Sequence, residues 1–197
     1  MRASTAILLF CGCLIWGCAD DRHPYARFEP PSTAGDTSGA AIYGVVEIPA
    51  GTTVLRRLDT LTGAVEVLPD QSVDFLPYPA NFGFIARTIR EGSPLPALIL
   101  MHALAPESAI AVTPVAVLQM RNATGPYDVI VCIPEDPGLQ SIKVTRFADF
   151  ITDYNPARHI LQEWMLNHMG FGTFELVGWQ DERFAQQLIE RHRLPAE

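Results

Sequence analysis

Four arginines in the first half of the chain could bind an anion. Arg56 and Arg57 are adjacent in one short apolar stretch, and Arg87 and Arg90 follow another. Guanidinium groups bind carboxylates and phosphates through paired hydrogen bonds. Adjacent strand residues point to opposite faces, so only one of Arg56 and Arg57 is predicted to enter a pocket. Arg57 and Arg87 are the anion-binding candidates, and the alternative is that they are solvated surface residues.

The histidines and the cysteine of the body do not form a recognisable catalytic or metal motif. His102, His159, His168 and His192 have neither H-x-x-x-H nor H-E-x-x-H spacing. The sequence also contains no G-x-S-x-G and no glycine-rich phosphate loop. Cys132 lies within the apolar run 129–133, which predicts a buried packing role rather than a reactive thiol.

Composition indicates one globular domain. The chain has 197 residues, of which 48% are hydrophobic and 18% are charged. Its formal net charge is -8, and its basic residues form no run. A nucleic-acid partner is therefore not expected.

The first 18 residues have the features of a lipoprotein-type signal peptide. Arg2 supplies a positive start, residues 6–16 are apolar, and Gly17 and Cys18 follow directly. The apolar run is shorter than the roughly 20 residues that a membrane-spanning helix needs. We expect Cys18 to be lipidated, with Cys13 as a rival position and an ordinary secretory peptide as the alternative. The protein is then exported and anchored to a membrane, on its periplasmic or cell-surface face.

Residues 19–40 are predicted to be a flexible tether, because they mix proline, glycine, serine and charge without a hydrophobic period. The folded domain is predicted to span residues 41–197. Its first part alternates short apolar runs with turns, which is typical of strands. The predicted strands are 42–48, 54–58, 64–68, 82–89, 97–101, 110–118, 129–133 and 174–179.

Two C-terminal helices are predicted beside these strands. The first has Asn155 as its cap, Pro156 at its first position and Gly170 after its end. The second runs from about Asp181 to His192, with apolar residues on one face. Many short strands with appended helices favour a mainly β fold, a small closed OB-like barrel with two packed helices.

Four segments in order resemble the soluble, or family I, inorganic pyrophosphatases. They are E-I-P-A-G-T at 47–52, D-F-L-P-Y-P-A-N-F-G-F-I at 74–85, E-G-S-P-L-P at 91–96 and G-W at 178–179. Together they cover about residues 42–192. The resemblance implies an OB-type barrel and magnesium-dependent hydrolysis of pyrophosphate, in which clustered carboxylates hold the metal ions.

The family's metal-binding positions are largely replaced in this sequence. The three aspartates of the family signature fall on Glu91, Ser93 and Pro96. A second acidic cluster falls on Asn122, Ala123 and Tyr127. Asp128 could stand in for the last one by a one-residue slip, but in a strand that slip turns the side chain to the other face.

The positions that hold the substrate in the family are also changed. Glu47 alone matches the family outright. By resemblance, the family's lysines, arginine, second glutamate and tyrosines fall on Leu55, Arg57, Pro69, Phe82, Val129, His168 and Met169. The residues that do match otherwise serve turns and packing, namely Pro49, Tyr78, Pro79, Asn81, Gly83, Trp164, Gly178 and Trp179.

A retained scaffold with an altered site predicts a family member without hydrolase activity that serves as a binding or structural module. Such a protein requires no cofactor. The first alternative is residual hydrolysis with Mg²⁺, for which Glu47, Glu91 and Asp128 are the remnants and Glu47 and Glu91 the candidate metal ligands. The second alternative is binding of a phosphate ester or another anion by the arginines. Membrane contact through lipidated Cys18 is expected, the sequence names no protein partner, and the resemblance leaves a homo-oligomer open.

Overall fold

The computed structural model describes residue 28 and residues 41–59, 62–68, 76–170 and 172–195. The predicted signal peptide at 1–18, with Cys18 and Cys13, lies outside the described residues, as does the tether at 19–40 except for Phe28. No described helix combines the length and the apolar character that crossing a membrane requires.

The described residues form eight strands in a six-stranded sheet and a separate hairpin. In chain order they are β1 (Tyr43–Ile48), β2 (Arg56–Leu58), β3 (Val65–Val67), β4 (Asn81–Ile85), β5 (Pro96–Ile99), β6 (Ala109–Asn122), β7 (Gly125–Pro134) and β8 (Glu175–Asp181). The large sheet has the order β1-β4-β5-β7-β6-β8, and β6 also pairs with β1. That extra pairing closes β1, β4, β5, β7 and β6 into a five-stranded barrel, as the sequence predicted.

Strand β6 makes this closure possible because it is long. Its first residues pair with β1, its remaining length pairs with β7, and its second half also pairs with β8. A bulge between Pro114 and Ala116 interrupts its register with β7, and such bulges bend a strand. The sequence predicted shorter strands here because the turn at 123–124 and the polar residues Gln119, Arg121 and Asp128 beside it interrupt the apolar pattern.

Three α-helices pack on the barrel in the described part of the chain, whereas two were predicted. They are α1 (Phe147–Asp153), α2 (Asn155–Asn167) and α3 (Glu182–His192). Helix α1 begins after Arg146, whose backbone N–H donates a hydrogen bond to the Asp149 carboxylate at 3.1 Å without a side-chain cap in return, and only Phe150 is buried. Because only one of its seven residues is buried, the helix has no apolar period that the sequence analysis could detect.

The first residues of α2 and α3 are capped differently. Helix α2 begins at Asn155 itself, and Tyr154 occupies the cap position without a side-chain hydrogen bond. The Asn155 Oδ1 instead accepts from the Nε–H of Arg158 at 3.0 Å, so the prediction of Asn155 as cap is wrong. Asp181 does cap α3, since its Oδ1 accepts the backbone N–H of Phe184 at 2.9 Å.

The described residues bury apolar side chains in three clusters. One cluster joins the strands to α3 through Ala185, Leu188 and Ile189. A second joins them to α1 and α2 through Phe150, Leu161 and Met165, and a small third cluster lies where β1, β2 and β4 meet. Cys132 is fully buried in the first cluster, and burial raises the pKa of its thiol, so the predicted packing role is confirmed.

Two residues of β4 fix where that strand lies. A Cβ atom at Gly83 would lie 1.9 Å from the carbonyl oxygen of Val45, so only glycine permits β1 and β4 to approach this closely. Asn81 is fully buried; its Oδ1 accepts from the backbone N–H of Ala50 at 3.1 Å and of Leu104 at 2.9 Å. These contacts hold the residue between them, Phe82, in a set position.

Candidate functional site

A cavity of about 350 Å³ opens where β1, β2 and β4 meet the end of α2. Its wall is mainly apolar and aromatic, although a few polar residues interrupt it. The apolar and aromatic lining residues are Ile48, Leu55, Leu68, Tyr78, Phe82, Phe84, Pro94, Pro96, Tyr127, Met169 and Phe174. Glu47, Arg56, Arg57, Ser93 and His168 complete the lining together with Gly83.

The cavity gathers most of the positions that the resemblance assigns to metal and substrate binding. Nine of them come from six separate stretches of the chain and border this one space. They are Glu47, Leu55, Arg57, Phe82, Ser93, Pro96, Tyr127, His168 and Met169. Val129 is fully buried in the core instead, and Pro69 lies outside the described residues. Positions that the resemblance assigns to the family's site thus border one cavity, mostly with side chains other than those the resemblance calls for.

Glu47 is the carboxyl group in this cavity. It lies on β1, and its Oε1 accepts the backbone N–H of Leu58 at 2.6 Å. Burial raises its pKa to about 7, although that hydrogen bond and the charge of Arg57 act in the opposite direction. Near neutral pH this group is therefore divided between its protonated and ionised forms.

Asp128 faces away from the cavity, as strand alternation predicted. Its Oδ2 forms an ion pair with the Nη1 of Arg90 at 2.7 Å, and its Oδ1 accepts from the Nε2 of Gln119 at 3.2 Å. Its neighbour Tyr127 borders the cavity in its place. Both carboxylate oxygens of Asp128 thus have partners in the protein, and Arg90 is used to neutralise it.

Glu91 lies on the turn between β4 and β5 and does not border the cavity. It is exposed and has a positive φ of 53°, because the chain reverses between Arg90 and Ser93. Ser93, two residues further on, does line the cavity. The structure thus does not bring Glu91 to the cavity that Glu47 lines.

The two anion-binding candidates separate in space. The guanidinium of Arg87 donates a hydrogen bond to the Pro195 carbonyl at 2.5 Å, so it holds the C-terminal segment and does not border the cavity. Arg57 does border it. So does Arg56, against the prediction that only one of the two would enter, because the cavity extends around the first residue of β2.

An aromatic layer closes one side of the cavity. Trp164 lies between Tyr78, at 4.3 Å between ring centroids, and His168, at 4.6 Å. Phe174 stacks on His168 at 5.7 Å. The Nδ1 of His168 lies 2.8 Å from the Met165 carbonyl, which can only accept, so this nitrogen carries the proton. Burial lowers the pKa of His168, which makes it a neutral member of the wall.

The residues present do not fit a magnesium cluster. Among the described residues, no group of three or more histidines, cysteines, aspartates or glutamates lies close enough to hold a metal ion. Mg²⁺ prefers ionised oxygen ligands in octahedral geometry. The cavity supplies one carboxyl group, Glu47, and one of its oxygens already accepts a backbone hydrogen bond.

Comparison with known proteins supports the scaffold. The family model described as inorganic pyrophosphatase matches residues 44–194. An inorganic pyrophosphatase of Vibrio cholerae is 31% identical over 166 residues, which cover 79% of this chain and 90% of the relative. One of Aeropyrum pernix is 30% identical over 164 residues, which cover 80% of this chain and 90% of the relative. The crystal structure of the Thermus thermophilus inorganic pyrophosphatase superposes with a TM-score of 0.66 at 21% identity, covering 79% of this chain and 91% of that one.

Proposed function

The chain belongs to the inorganic pyrophosphatase family, and on that basis we propose that it is a non-hydrolysing member that acts as a binding module at a membrane. The observation that supports this proposal is the composition of the cavity wall. Leu55, Phe82, Pro96, Tyr127 and Met169 occupy positions where the family resemblance calls for charged or polar groups.

This substitution pattern supports the proposed absence of hydrolysis, because it replaces groups that phosphoryl transfer needs. Hydrolysis of pyrophosphate requires neutralisation of the phosphate charge and activation of a water molecule, both commonly achieved by bound metal ions. The described cavity has no cluster of carboxylates for such ions. Glu47, partly protonated near neutral pH, is a weak ligand by itself.

Membrane attachment is the second part of the proposal. Its support is the sequence of residues 1–18, in which an apolar run ends at Gly17 and Cys18. Lipidated Cys18 would hold the exported domain at the periplasmic or cell-surface face, with residues 19–40 as the tether. Mass spectrometry of the mature N-terminus tests this. A diacylglycerol adduct on Cys18 is expected, and cleavage elsewhere or an unmodified Cys18 would contradict it.

Residual magnesium-dependent hydrolysis is the competing function. The observation in its favour is that Glu47, which matches the family, still lies in the cavity beside Ser93. Activity through this residue would require the ionised form and a metal ion bound mainly by the substrate's own phosphates.

Phosphate release from pyrophosphate separates the two functions. The full-length chain in detergent is assayed with Mg²⁺ and then Mn²⁺, beside its Glu47→Gln variant and the Vibrio cholerae inorganic pyrophosphatase as positive control. We expect release from the control alone. Metal-dependent release by the wild-type chain that Glu47→Gln abolishes would overturn the proposal and establish the competing function.

A further inference from the structure

We propose that the cavity beside Glu47 binds a small organic anion that combines an apolar or aromatic body with one acidic group. The inference rests on the proposed function, since such a ligand requires the apolar wall that stands where the family places metal and phosphate ligands. The body would occupy the interior of the cavity, and the acidic group would lie at its arginine-lined edge.

The wall determines the body of the ligand. Phe82, Tyr127 and Phe174 present aromatic surface to the cavity, and Leu55 and Met169 present aliphatic surface. Apolar surface of this kind favours a ligand that can itself be removed from water, which inorganic phosphates cannot offer. The volume of about 350 Å³ lies in the lower part of the range typical of small-molecule sites, roughly 300–1,000 Å³.

The arginines at the edge determine the charge of the ligand. Arg56 and Arg57 both border the cavity, and within the described residues neither forms an ion pair. Glu66 is the cross-strand neighbour of Arg57 on β3, yet the two side chains are not paired. This contrasts with Arg90, which Asp128 neutralises at 2.7 Å. Two guanidinium groups at the mouth of an apolar cavity favour an anionic group there.

The titratable groups on the cavity wall indicate how many charges the ligand carries. A doubly or triply charged phosphate would need several cationic partners, and the further titratable groups on the described wall are Glu47, Tyr78, Tyr127 and the neutral His168. An ionised Glu47 would repel a highly charged ligand that entered deeply. One acidic group at the edge avoids this repulsion and satisfies the guanidinium groups.

Calorimetric titration of 2-naphthoate into the full-length chain tests the proposal. The ligand has an aromatic body and one carboxylate, and the same titration into empty detergent micelles is subtracted. Its neutral analogue 2-naphthalenemethanol and inorganic pyrophosphate are titrated in parallel. We expect 2-naphthoate to bind at least about tenfold more tightly than either, because each of them lacks one of the two features recognised.

Two pairs of variants locate the site. Arg57→Gln is expected to weaken 2-naphthoate binding about tenfold, whereas Arg191→Gln, at an exposed position of α3, leaves it unchanged. Met169→Glu adds a repelling charge to the cavity wall and is expected to abolish binding. Ile160→Glu is its matched control, because Ile160 is 62% exposed and does not border the cavity.

The outcomes separate this inference from the proposed function. Absence of 2-naphthoate binding, equal binding of the neutral analogue, or equal effects of a variant and its control would overturn the inference. None of these binding results would show that the protein hydrolyses pyrophosphate. Tighter binding of pyrophosphate than of 2-naphthoate would also overturn it, and only metal-dependent phosphate release would overturn the proposed function.

Discussion

Strand β4 places two kinds of position side by side. Asn81 and Gly83 match the family and are fixed by the barrel, one by its buried hydrogen bonds and the other by contact with the Val45 carbonyl. Phe82, between them, borders the cavity, where the resemblance calls for a tyrosine. Within β4, the two residues fixed by packing thus match the family, whereas the side chain between them differs. The difference indicates that packing requires Asn81 and Gly83, whereas the fold tolerates another side chain at position 82.

The largest effect is expected for Gly83→Ala. The added Cβ would lie 1.9 Å from a backbone oxygen of β1, which cannot move without separating the two strands. We expect a loss of more than about 5 kcal/mol in the free energy of unfolding, or failure to fold, in urea titration. Gly92→Ala is the control, because its positive φ of 85° costs about 1 kcal/mol but its Cβ meets nothing within 4 Å. Similar losses in both variants would contradict the packing argument.

Asn81→Ala is expected to cost somewhat less. It would leave the backbone N–H groups of Ala50 and Leu104 and the His102 carbonyl without their side-chain partner. Three unsatisfied groups predict a loss of about 4 kcal/mol in the free energy of unfolding. Asn155→Ala, which removes one partly exposed hydrogen bond to Arg158, should lose less than about 1 kcal/mol. A comparable loss at both positions would show that Asn81 does not have the role assigned to it.

The Glu47→Gln variant tests the cavity position through the dependence of the protein's stability on pH. The pKa of Glu47 is about 7 in the folded protein, against the ordinary 4.5 expected in the unfolded chain. Between these two pH values the folded state therefore binds more protons than the unfolded state. The stability that Glu47 contributes is therefore full below pH 4.5 and is lost as the pH rises to about 7. The glutamine side chain of the variant does not titrate, and its carbonyl oxygen can still accept the N–H of Leu58.

The measurement is the difference in unfolding free energy between the Glu47→Gln variant and the wild type at several pH values. We expect this difference to move by about 3 kcal/mol in favour of the variant between about pH 4 and pH 8. A difference that stays constant over this range would mean that folding does not shift the pKa of Glu47, which would then be ionised at neutral pH.

The smallest effect is expected for Ser93→Asp, which returns a family carboxylate to the cavity. Ser93 is exposed, so the free energy of unfolding should change by less than about 0.5 kcal/mol in thermal or urea unfolding. Phosphate release should stay at the baseline, because Pro96 and Tyr127 still lack metal-binding groups. Metal-dependent release from this single variant would show that the cavity is much closer to an active site than its composition indicates.

Much of the fold could be predicted from the sequence because its signals are local. Alternating apolar residues marked the strands, and Asp181 marked the start of α3. Closure of the strands into a barrel was expected from their number and from the family resemblance. Helix α1 and the full length of β6 and β7 were not found, since their residues contact distant parts of the chain rather than each other in a regular period.

The site was predictable residue by residue only through the resemblance. It identified nine of the positions that border the cavity, although they are scattered over more than 120 residues of sequence. It could not show that Glu91 would lie outside the cavity or that Arg87 would bind the C-terminal segment, because both depend on how the turns after β4 are packed.

Residue identities and local periods predicted the strands and helices and revealed no recognisable catalytic or metal motif, and the family resemblance added the replacement of the metal-binding carboxylates. The tertiary structure decided what the altered residues became. Only folding brings Leu55, Phe82 and Met169 to one wall, buries Glu47 enough to raise its pKa, and turns Asp128 to Arg90. These properties depend on distances between remote segments, which residue order alone does not contain.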